Sequence, residues 1–188
     1  MKRQLFAIGA LLVLAVFVYA FAMNWRQYAG TVTPTPAPVV EFSSDAAGVS
    51  FNYPASYRLE SRIDGNAERN WPVLVLMDKA AAANAPSQSE GPPAIVIAAY
   101  PNPEGLSAED WVKSDARSNW KLAPARALGS ATVAGEAALT YQYSGLYEND
   151  AVVVARGGKV YVFSAGWLTA QDQIRADFAE LLKTVAFH

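Results

Sequence analysis

An uncharged run of 19 residues, residues 5–23, limits most strongly how this chain can fold. At ~1.5 Å per helical residue the run would extend roughly 28 Å, close to the ~30 Å hydrocarbon thickness of a bilayer. All faces of such a helix would be apolar, whereas a helix at the surface of a globular domain keeps a polar face. The run therefore predicts one transmembrane helix over residues 5–23.

The charges that flank this run predict its orientation. Lys2 and Arg3 precede it and Arg26 alone follows it, so the positive-inside rule places residues 1–4 in the cytoplasm and the rest of the chain outside. Trp25 and Tyr28 follow where aromatic rings favour the headgroup region. The sequence predicts a signal-anchor with an extracytoplasmic domain.

A cleaved signal peptide is the alternative. Ala20, Phe21 and Ala22 satisfy the small-x-small cleavage pattern behind a basic start, which would give a secreted protein after cleavage near Ala22. The apolar run continues unbroken to Met23 and leaves no polar stretch before the cut, which favours the anchor. Both interpretations export the remaining residues.

Residues 24–38 form the expected linker, because Thr and Pro alternate from Thr31 to Pro38 and proline favours an extended, solvated chain. Residues 39–188 are then one domain, long enough for a single core. Three of the 15 basic residues and none of the 17 acidic residues precede the domain, so 12 basic residues face 17 acidic ones and its formal charge is -5. This acidic balance argues against a nucleic-acid partner.

Composition also restricts the chemistry. The chain has no cysteine, and its one histidine is the last residue, His188, so thiolate nucleophiles, Ser-His-Asp triads and multi-histidine zinc sites are excluded. A Ser-Lys pair stays formally open, but no spacing singles one out. We therefore expect no enzyme activity, no cofactor and no metal.

Two acidic groups have structural explanations. Glu109, Asp110 and Asp115 fit the first turn of a helix better than a catalytic site. Residues 148–150, Glu-Asn-Asp, fit a polar turn before a strand better than a calcium loop.

Hydrophobic periodicity of two dominates the domain. Alternation predicts strands at residues 49–53 and 139–143. Short continuous apolar runs predict strands that are covered on both faces at residues 73–77 and 94–98, and residues 151–155 and 160–163 are two further apolar strands. Gly157-Gly158 between the last two strands indicates a two-residue hairpin turn. Residues 80–85 suggest a short helical turn in a long connection between strands, over residues 78–93. Together with two helices, these strands predict an α+β fold with a central antiparallel sheet.

The two helices have recognisable starts. The first begins at Ser107, an N-cap, and presents Trp111, Val112, Ala116 and Trp120 at helical spacing. The second begins at Thr169 and presents the apolar residues Ile174, Phe178, Leu181, Leu182 and Val185.

Three segments resemble the PsbP-like family, which shares its fold with a Ran-binding nucleotide-release factor. They are residues 48–57 (GVSFNYPASY), residues 135–141 (GEAALTY), and the Gly157-Gly158 hairpin with the closing helix up to Phe187. The resemblance covers most of residues 40–188 and implies an α/β/α sandwich that acts mostly by docking on other proteins. It carries over no catalytic residue.

Aromatic residues give the candidate binding surface. Rings that are not used in the core could line a groove for a peptide, a glycan or another protein. The candidates are Trp71, Trp111, Trp120, Tyr143, Tyr147 and Trp167. We expect a membrane-anchored, non-catalytic binding or assembly module for another envelope protein, with a small-ligand or glycan-binding domain as the alternative.

Overall fold

The structure, a computed structural model, describes residues 38–66, 68–86 and 90–188. The predicted cytoplasmic end, the transmembrane helix and almost all of the linker lie outside the described residues. Within those residues, no helix combines the length and the apolarity that a membrane crossing requires.

The described residues form ten strands in two antiparallel sheets. The larger sheet has the order β3-β4-β5-β9-β8-β7-β6 and the smaller one the order β1-β2-β10. The strands are β1 (Val39–Ser44), β2 (Val49–Pro54), β3 (Tyr57–Gly65), β4 (Asn70–Asp78), β5 (Ala94–Pro101), β6 (Gly129–Val133), β7 (Glu136–Ser144), β8 (Glu148–Arg156), β9 (Lys159–Trp167) and β10 (Ala186–Phe187). The predicted α+β class with a central antiparallel sheet is confirmed, and each predicted strand lies within one of these ten.

In the part of the chain that the structure describes, three helices accompany the sheets: α1 (Lys79–Asn84), α2 (Ala108–Ser114) and α3 (Gln173–Thr184). The predicted helical turn near residues 80–85 is α1. Two short 3-10 turns, Ala116–Ser118 and Trp120–Leu122, follow α2.

Helix α2 starts as predicted but ends early. The Ser107 hydroxyl accepts a hydrogen bond from the Asp110 backbone N–H at 3.1 Å, as an N-cap should. Asp115 is extended, with φ -87° and ψ 127°, and so stops the helix. Ala116 and Trp120 were wrongly assigned to this helix, and each begins one of the 3-10 turns.

Helix α3 starts at Gln173 and not at Thr169. The Asp172 carboxylate accepts hydrogen bonds from the backbone N–H groups of Leu168 at 2.7 Å and of Thr169 at 3.0 Å. These bonds hold residues 169–172 in a turn, so the helix begins only after Asp172. Its predicted apolar face is correct, because Phe178 and Leu181 are buried.

The larger sheet is covered on both faces. On one face, α3 and the smaller sheet enclose a core that includes Phe51, Leu74 and Phe163. On the other face, α2 packs Trp111 and Val112 on the central strands. Burial on both sides explains the continuous apolar runs of β4, β5, β8 and β9.

The acidic segment from Glu148 to Asp150 was wrongly predicted as a turn. These residues lie in β8, where Asn149 pairs with Gly166 and Asp150 with Ala165. Their polar side chains are tolerated because each has a local partner: Glu148 accepts hydrogen bonds from the Ser144 hydroxyl, and Asp150 binds Arg175.

Two tight hairpins have left-handed backbone at both turn residues. Gly157 (φ 57°) and Gly158 (φ 71°) connect β8 to β9, as predicted, whereas Ala134 (φ 51°) and Gly135 (φ 81°) connect β6 to β7. An alanine pays a steric penalty there that glycine and asparagine largely avoid.

We expect Ala134→Asn to raise the free energy of unfolding by about 0.5–1 kcal/mol, because asparagine adopts positive φ more readily than alanine. Gly157→Ala is the matched reverse change and should lower it by about 1 kcal/mol, since no atom lies within 4 Å of the new Cβ and only backbone strain acts. Urea unfolding measures both, and equal signs for the two variants would contradict the explanation.

Candidate binding cleft

Trp71, Tyr100, Trp111 and Arg117 form one compact cluster, here called the aromatic–arginine stack. The Trp71 and Tyr100 ring centroids lie 5.2 Å apart, and the Tyr100 and Trp111 rings stack at 5.3 Å. The Arg117 guanidinium lies 4.5 Å from the Tyr100 ring centroid and 4.9 Å from that of Trp71. These distances are in the range of cation–π attraction.

Strand register brings two members of the stack together. Val73 in β4 pairs with Ala98 in β5, and Trp71 and Tyr100 lie two residues further on the same face. Trp111 reaches them from α2 on that face of the sheet. The stack therefore joins three elements that are distant in sequence.

Asp115 fixes the guanidinium over the rings. Its carboxylate accepts hydrogen bonds from Arg117 Nε at 2.8 Å and from Arg117 Nη2 at 2.5 Å. These bonds hold the pKa of the Asp115 carboxyl below its usual range. Asp115 thus differs from Glu109 and Asp110, which lie in the first turn of α2 as predicted.

A cleft of about 580 Å³ opens beside the stack. Trp111, Asp115 and Arg117 line it, together with the segment after β5. Asn102 stiffens that segment, since its side chain donates to the Leu106 carbonyl oxygen at 2.9 Å and accepts from the Leu106 N–H at 3.0 Å. The rest of the lining is Glu68, Arg69, Asn70, Pro101, Pro103, Glu104 and Ser114.

A second aromatic group adjoins the stack on the same face of the sheet. Trp120 meets Tyr141 edge-on, with ring centroids 5.5 Å apart, and Tyr143 lies 6.2 Å from Tyr141. The Tyr141 hydroxyl donates to the Ser118 carbonyl oxygen at 2.5 Å. Burial raises the pKa of Tyr141 above its usual range and that of Tyr100 to about 12.

Tyr147 and Trp167 lie near the opposite end of the larger sheet from the aromatic–arginine stack. The Tyr147 hydroxyl donates to the Gly91 carbonyl oxygen at 2.5 Å. The Trp167 ring lies 4.5 Å below the guanidinium of Arg175, which is paired with Asp150 at 2.6 Å. The register places Trp167 beside the start of β5, whereas Tyr100 is near its end.

The structure thus brings four of the six predicted surface residues, Trp71, Trp111, Trp120 and Tyr143, to one face of the sheet and leaves Tyr147 and Trp167 apart. Sequence reasoning missed Tyr100 and Arg117. The strand predicted over residues 94–98 was a usable signal for Tyr100, because alternate side chains of a strand share a face and Tyr100 lies two residues after Ala98.

A second cleft, of about 710 Å³, lies between α3 and residues 124–127. Gln142, Asp150 and Arg175 line it and bind one another: Gln142 Nε2 donates to Asp150 Oδ1 at 2.7 Å, and Arg175 Nε donates to Asp150 Oδ2 at 2.6 Å. Small apolar side chains form much of the rest. Nowhere in residues 38–66, 68–86 and 90–188 do three or more Asp, Glu or His side chains gather as a metal site requires.

Comparison with known proteins supports the fold. No protein-family model matches the sequence, and no curated protein matches it. The solution structure of cyanobacterial PsbP (CyanoP) from Synechocystis sp. PCC 6803 matches with a TM-score of 0.53 and 14% identity, over 85% of this chain and 97% of that one. The chain therefore has the PsbP-like fold that its sequence predicts, and at this identity the match concerns the fold alone.

A crystal structure from Bacteroides thetaiotaomicron VPI-5482 also matches, with a TM-score of 0.49 and 12% identity over 79% of this chain. The match covers 48% of that protein, so this chain corresponds to about half of its length.

Proposed function

We propose that this chain is a single-pass, membrane-anchored protein whose exported domain is a non-catalytic binding or assembly module for another envelope protein. Residues 1–4 are cytoplasmic, residues 5–23 form the signal-anchor, residues 24–38 are the spacer, and residues 39–188 are the domain, an α/β/α sandwich. The uncharged run and its basic N-terminal flank support the anchor and its orientation.

The observation that carries the binding role is Arg117 in the wall of an open cleft, held there by the aromatic–arginine stack. Trp, Tyr and Arg are the residues most enriched at the energetic centres of protein interfaces. Asp115 and the rings already hold Arg117 in place, so its side chain loses little conformational entropy when a partner docks against it.

The rim of the cleft is polar, as protein interfaces require. Glu68, Arg69 and Glu104 are exposed there, and within the described residues none of them forms an ion pair. Charges of both signs at the rim suit a protein surface with complementary charges, and reversing them would place like charges opposite each other, which weakens association.

Satisfied polar groups favour binding over catalysis. Asp115 is occupied by Arg117, and the Asn102 side chain is occupied by the Leu106 backbone. A general acid or base needs a proton-transfer group that faces the substrate with a pKa near the working pH. The depressed pKa of Asp115 suits a fixed ion pair instead.

A small-ligand or glycan-binding role is the second candidate, supported by the cleft volume of about 580 Å³, which is in the range of small-molecule pockets. The burial of the aromatic rings makes this role less favoured than protein binding. Trp111 is only 2% exposed and stacks on Tyr100, so it presents little ring face for a sugar.

The test is chemical cross-linking in intact cells, followed by purification of the tagged full chain in mild detergent. A chain truncated after Pro38 and the double variant Arg69→Glu/Glu104→Lys are purified in parallel. We expect a partner at near-equal amount with the full chain, none with the truncated chain, and at least about tenfold less with the double variant, which corresponds to about 1.4 kcal/mol.

The matched control is Lys121→Glu/Glu90→Lys, which reverses two exposed charges that do not line the cleft. Loss of partner in this control as well would contradict a role for the cleft. Recovery of no domain-dependent partner would contradict the binding module and direct the search to ligands of the aromatic surface.

A further inference from the structure

Strand β1 has an open edge. It is the first strand of the three-stranded sheet and pairs with β2 along its whole length, from Val39–Pro54 to Ser44–Val49. On its other side β1 has no partner strand within the described residues. In an antiparallel pair, alternate residues turn their N–H and C=O groups away from the partner strand, so β1 presents a row of free backbone groups.

The other long edge is protected by charge. Strand β3, at the edge of the larger sheet, carries Arg58, Glu60, Arg62 and Asp64 in alternation. They form ion pairs along the strand, Arg58 Nη2 to Glu60 Oε1 at 3.1 Å and Arg62 Nε to Asp64 Oδ1 at 2.8 Å. Charged side chains of this kind are a common protection against further strand pairing.

Strand β1 lacks this protection and exposes apolar side chains. Its only charged residue is Glu41, and its register with β2 is continuous, without a bulge. Val39 is 65% exposed and Val40 37% exposed. The third edge, β6, is also uncharged, but its exposed residues from Gly129 to Thr132 are small and offer little apolar area.

The acidic residues near β1 indicate the charge that a strand paired with it would carry. Glu41 is exposed and forms no ion pair within the described residues, and Asp45 in the following turn is fully exposed, 3.7 Å from His188. The domain as a whole carries a formal charge of -5. A strand beside β1 is therefore most favourable with Lys or Arg opposite Glu41.

We infer that the free edge of β1 accepts an extended, basic segment of the partner protein as an additional antiparallel strand, by backbone hydrogen bonds and by burial of Val39 and Val40. This inference rests on the proposed function. The Ala55 N–H donates to the Pro38 carbonyl oxygen at 2.8 Å, which fixes the chain as it enters β1. A 15-residue spacer at ~3.1 Å per residue keeps β1 within roughly 45 Å of the proposed anchor, so the partner must present the segment within that distance of the membrane.

The test places a photoreactive phenylalanine analogue in the full chain in intact cells, at Val40 in β1, Ser61 in β3 or Thr132 in β6. We expect an adduct with the partner from Val40 alone, at a lysine- or arginine-containing segment of that partner. Glu41→Lys should lower the adduct yield at least about fivefold and Glu41→Gln by less. Reversal of the basic residue in the partner should restore the yield with Glu41→Lys.

The matched control Glu90→Lys reverses an exposed charge elsewhere and should leave the yield unchanged. An unchanged thermal unfolding temperature for Glu41→Lys shows that this variant keeps the fold. If Glu41→Lys is destabilised, the adduct yield of Glu41→Gln is used in its place. Absence of an adduct from Val40, or equal adducts from Ser61 or Thr132, would overturn the inference. It would also be overturned by an adduct between two copies of this chain, or by an adduct yield that is the same in the Glu41 variants as in the unchanged chain. If the domain-dependent partner is still recovered, only the β1 inference fails; if it is not, the proposed function fails as well.

Discussion

Between pH 10 and pH 12, the protein is expected to lose much of its free energy of unfolding, because four tyrosines whose pKa burial raises resist ionisation in the folded state: Tyr57, Tyr100, Tyr141 and Tyr161. Tyr141 is 5% exposed, and burial raises its pKa above the usual range of tyrosine. Burial also raises the pKa of Tyr100 from 10.0 to about 12, and the nearby Arg117 charge offsets only part of this rise.

The sign follows from proton binding. In the unfolded chain these tyrosines ionise near pH 10, whereas in the folded chain they stay protonated as the pH rises towards their raised pKa. Their contribution to stability is complete below pH 10 and is lost above it. The slope approaches about 1.4 kcal/mol per pH unit for each tyrosine, so Tyr100 and Tyr141 together remove about 4 kcal/mol over two pH units, and Tyr57 and Tyr161 add to this loss. Small domains have about 5–15 kcal/mol in total.

Urea unfolding of the full chain in mild detergent, repeated across this pH range, measures the slope. Tyr141→Phe and Tyr100→Phe should each lower this slope by about 1 kcal/mol per pH unit, and the contributions of Tyr57 and Tyr161 should remain. Tyr141→Phe should also cost about 1–2 kcal/mol at neutral pH, since the Ser118 carbonyl oxygen loses its donor. Trp120→Phe is the control, because it changes the packing on Tyr141 without removing a titrating proton. A slope that neither tyrosine variant changes would contradict the burial of these hydroxyls.

The fold was predictable where burial imposes a pattern. Residues 73–77 and 160–163 are continuous apolar runs because their strands are covered on both faces, and such runs are visible in a sequence. Strands β1, β3 and β6 were missed because they are edges with exposed or charged side chains, and β10 because it has only two residues. Edge strands commonly carry charged or polar side chains that prevent further strand pairing, so they lack the apolar pattern on which the prediction depends.

The candidate site was predictable only in its residue types. Trp71 and Trp167 look alike in the sequence, and only the strand register places them at opposite ends of the larger sheet. Arg117 gives no signal at all. Its position over the rings depends on Asp115, which ends α2, and on contacts among β4, β5 and α2 that no local pattern encodes.

Trp111→Ala is expected to lower the free energy of unfolding by about 3–5 kcal/mol, because large core aromatics leave cavities of that cost. Trp111 is almost fully buried, stacks on Tyr100 and lies within 5.9 Å of the Arg117 guanidinium. Trp111→Phe keeps a ring in the stack and should cost clearly less.

The control is Trp71→Ala, at the half-buried end of the same stack, where water can fill the space that the ring leaves; it should cost about 1–2 kcal/mol. Urea unfolding of the three variants in mild detergent gives the order. An equal loss of free energy of unfolding in Trp71→Ala and Trp111→Ala would contradict the expectation that the more deeply buried ring contributes more. Trp111 lines the cleft, whereas Trp71 contacts the Arg117 guanidinium without lining the cleft. Partner recovery with Trp71→Ala, in a chain that remains folded, therefore tests the stack as a binding surface separately from its role in stability.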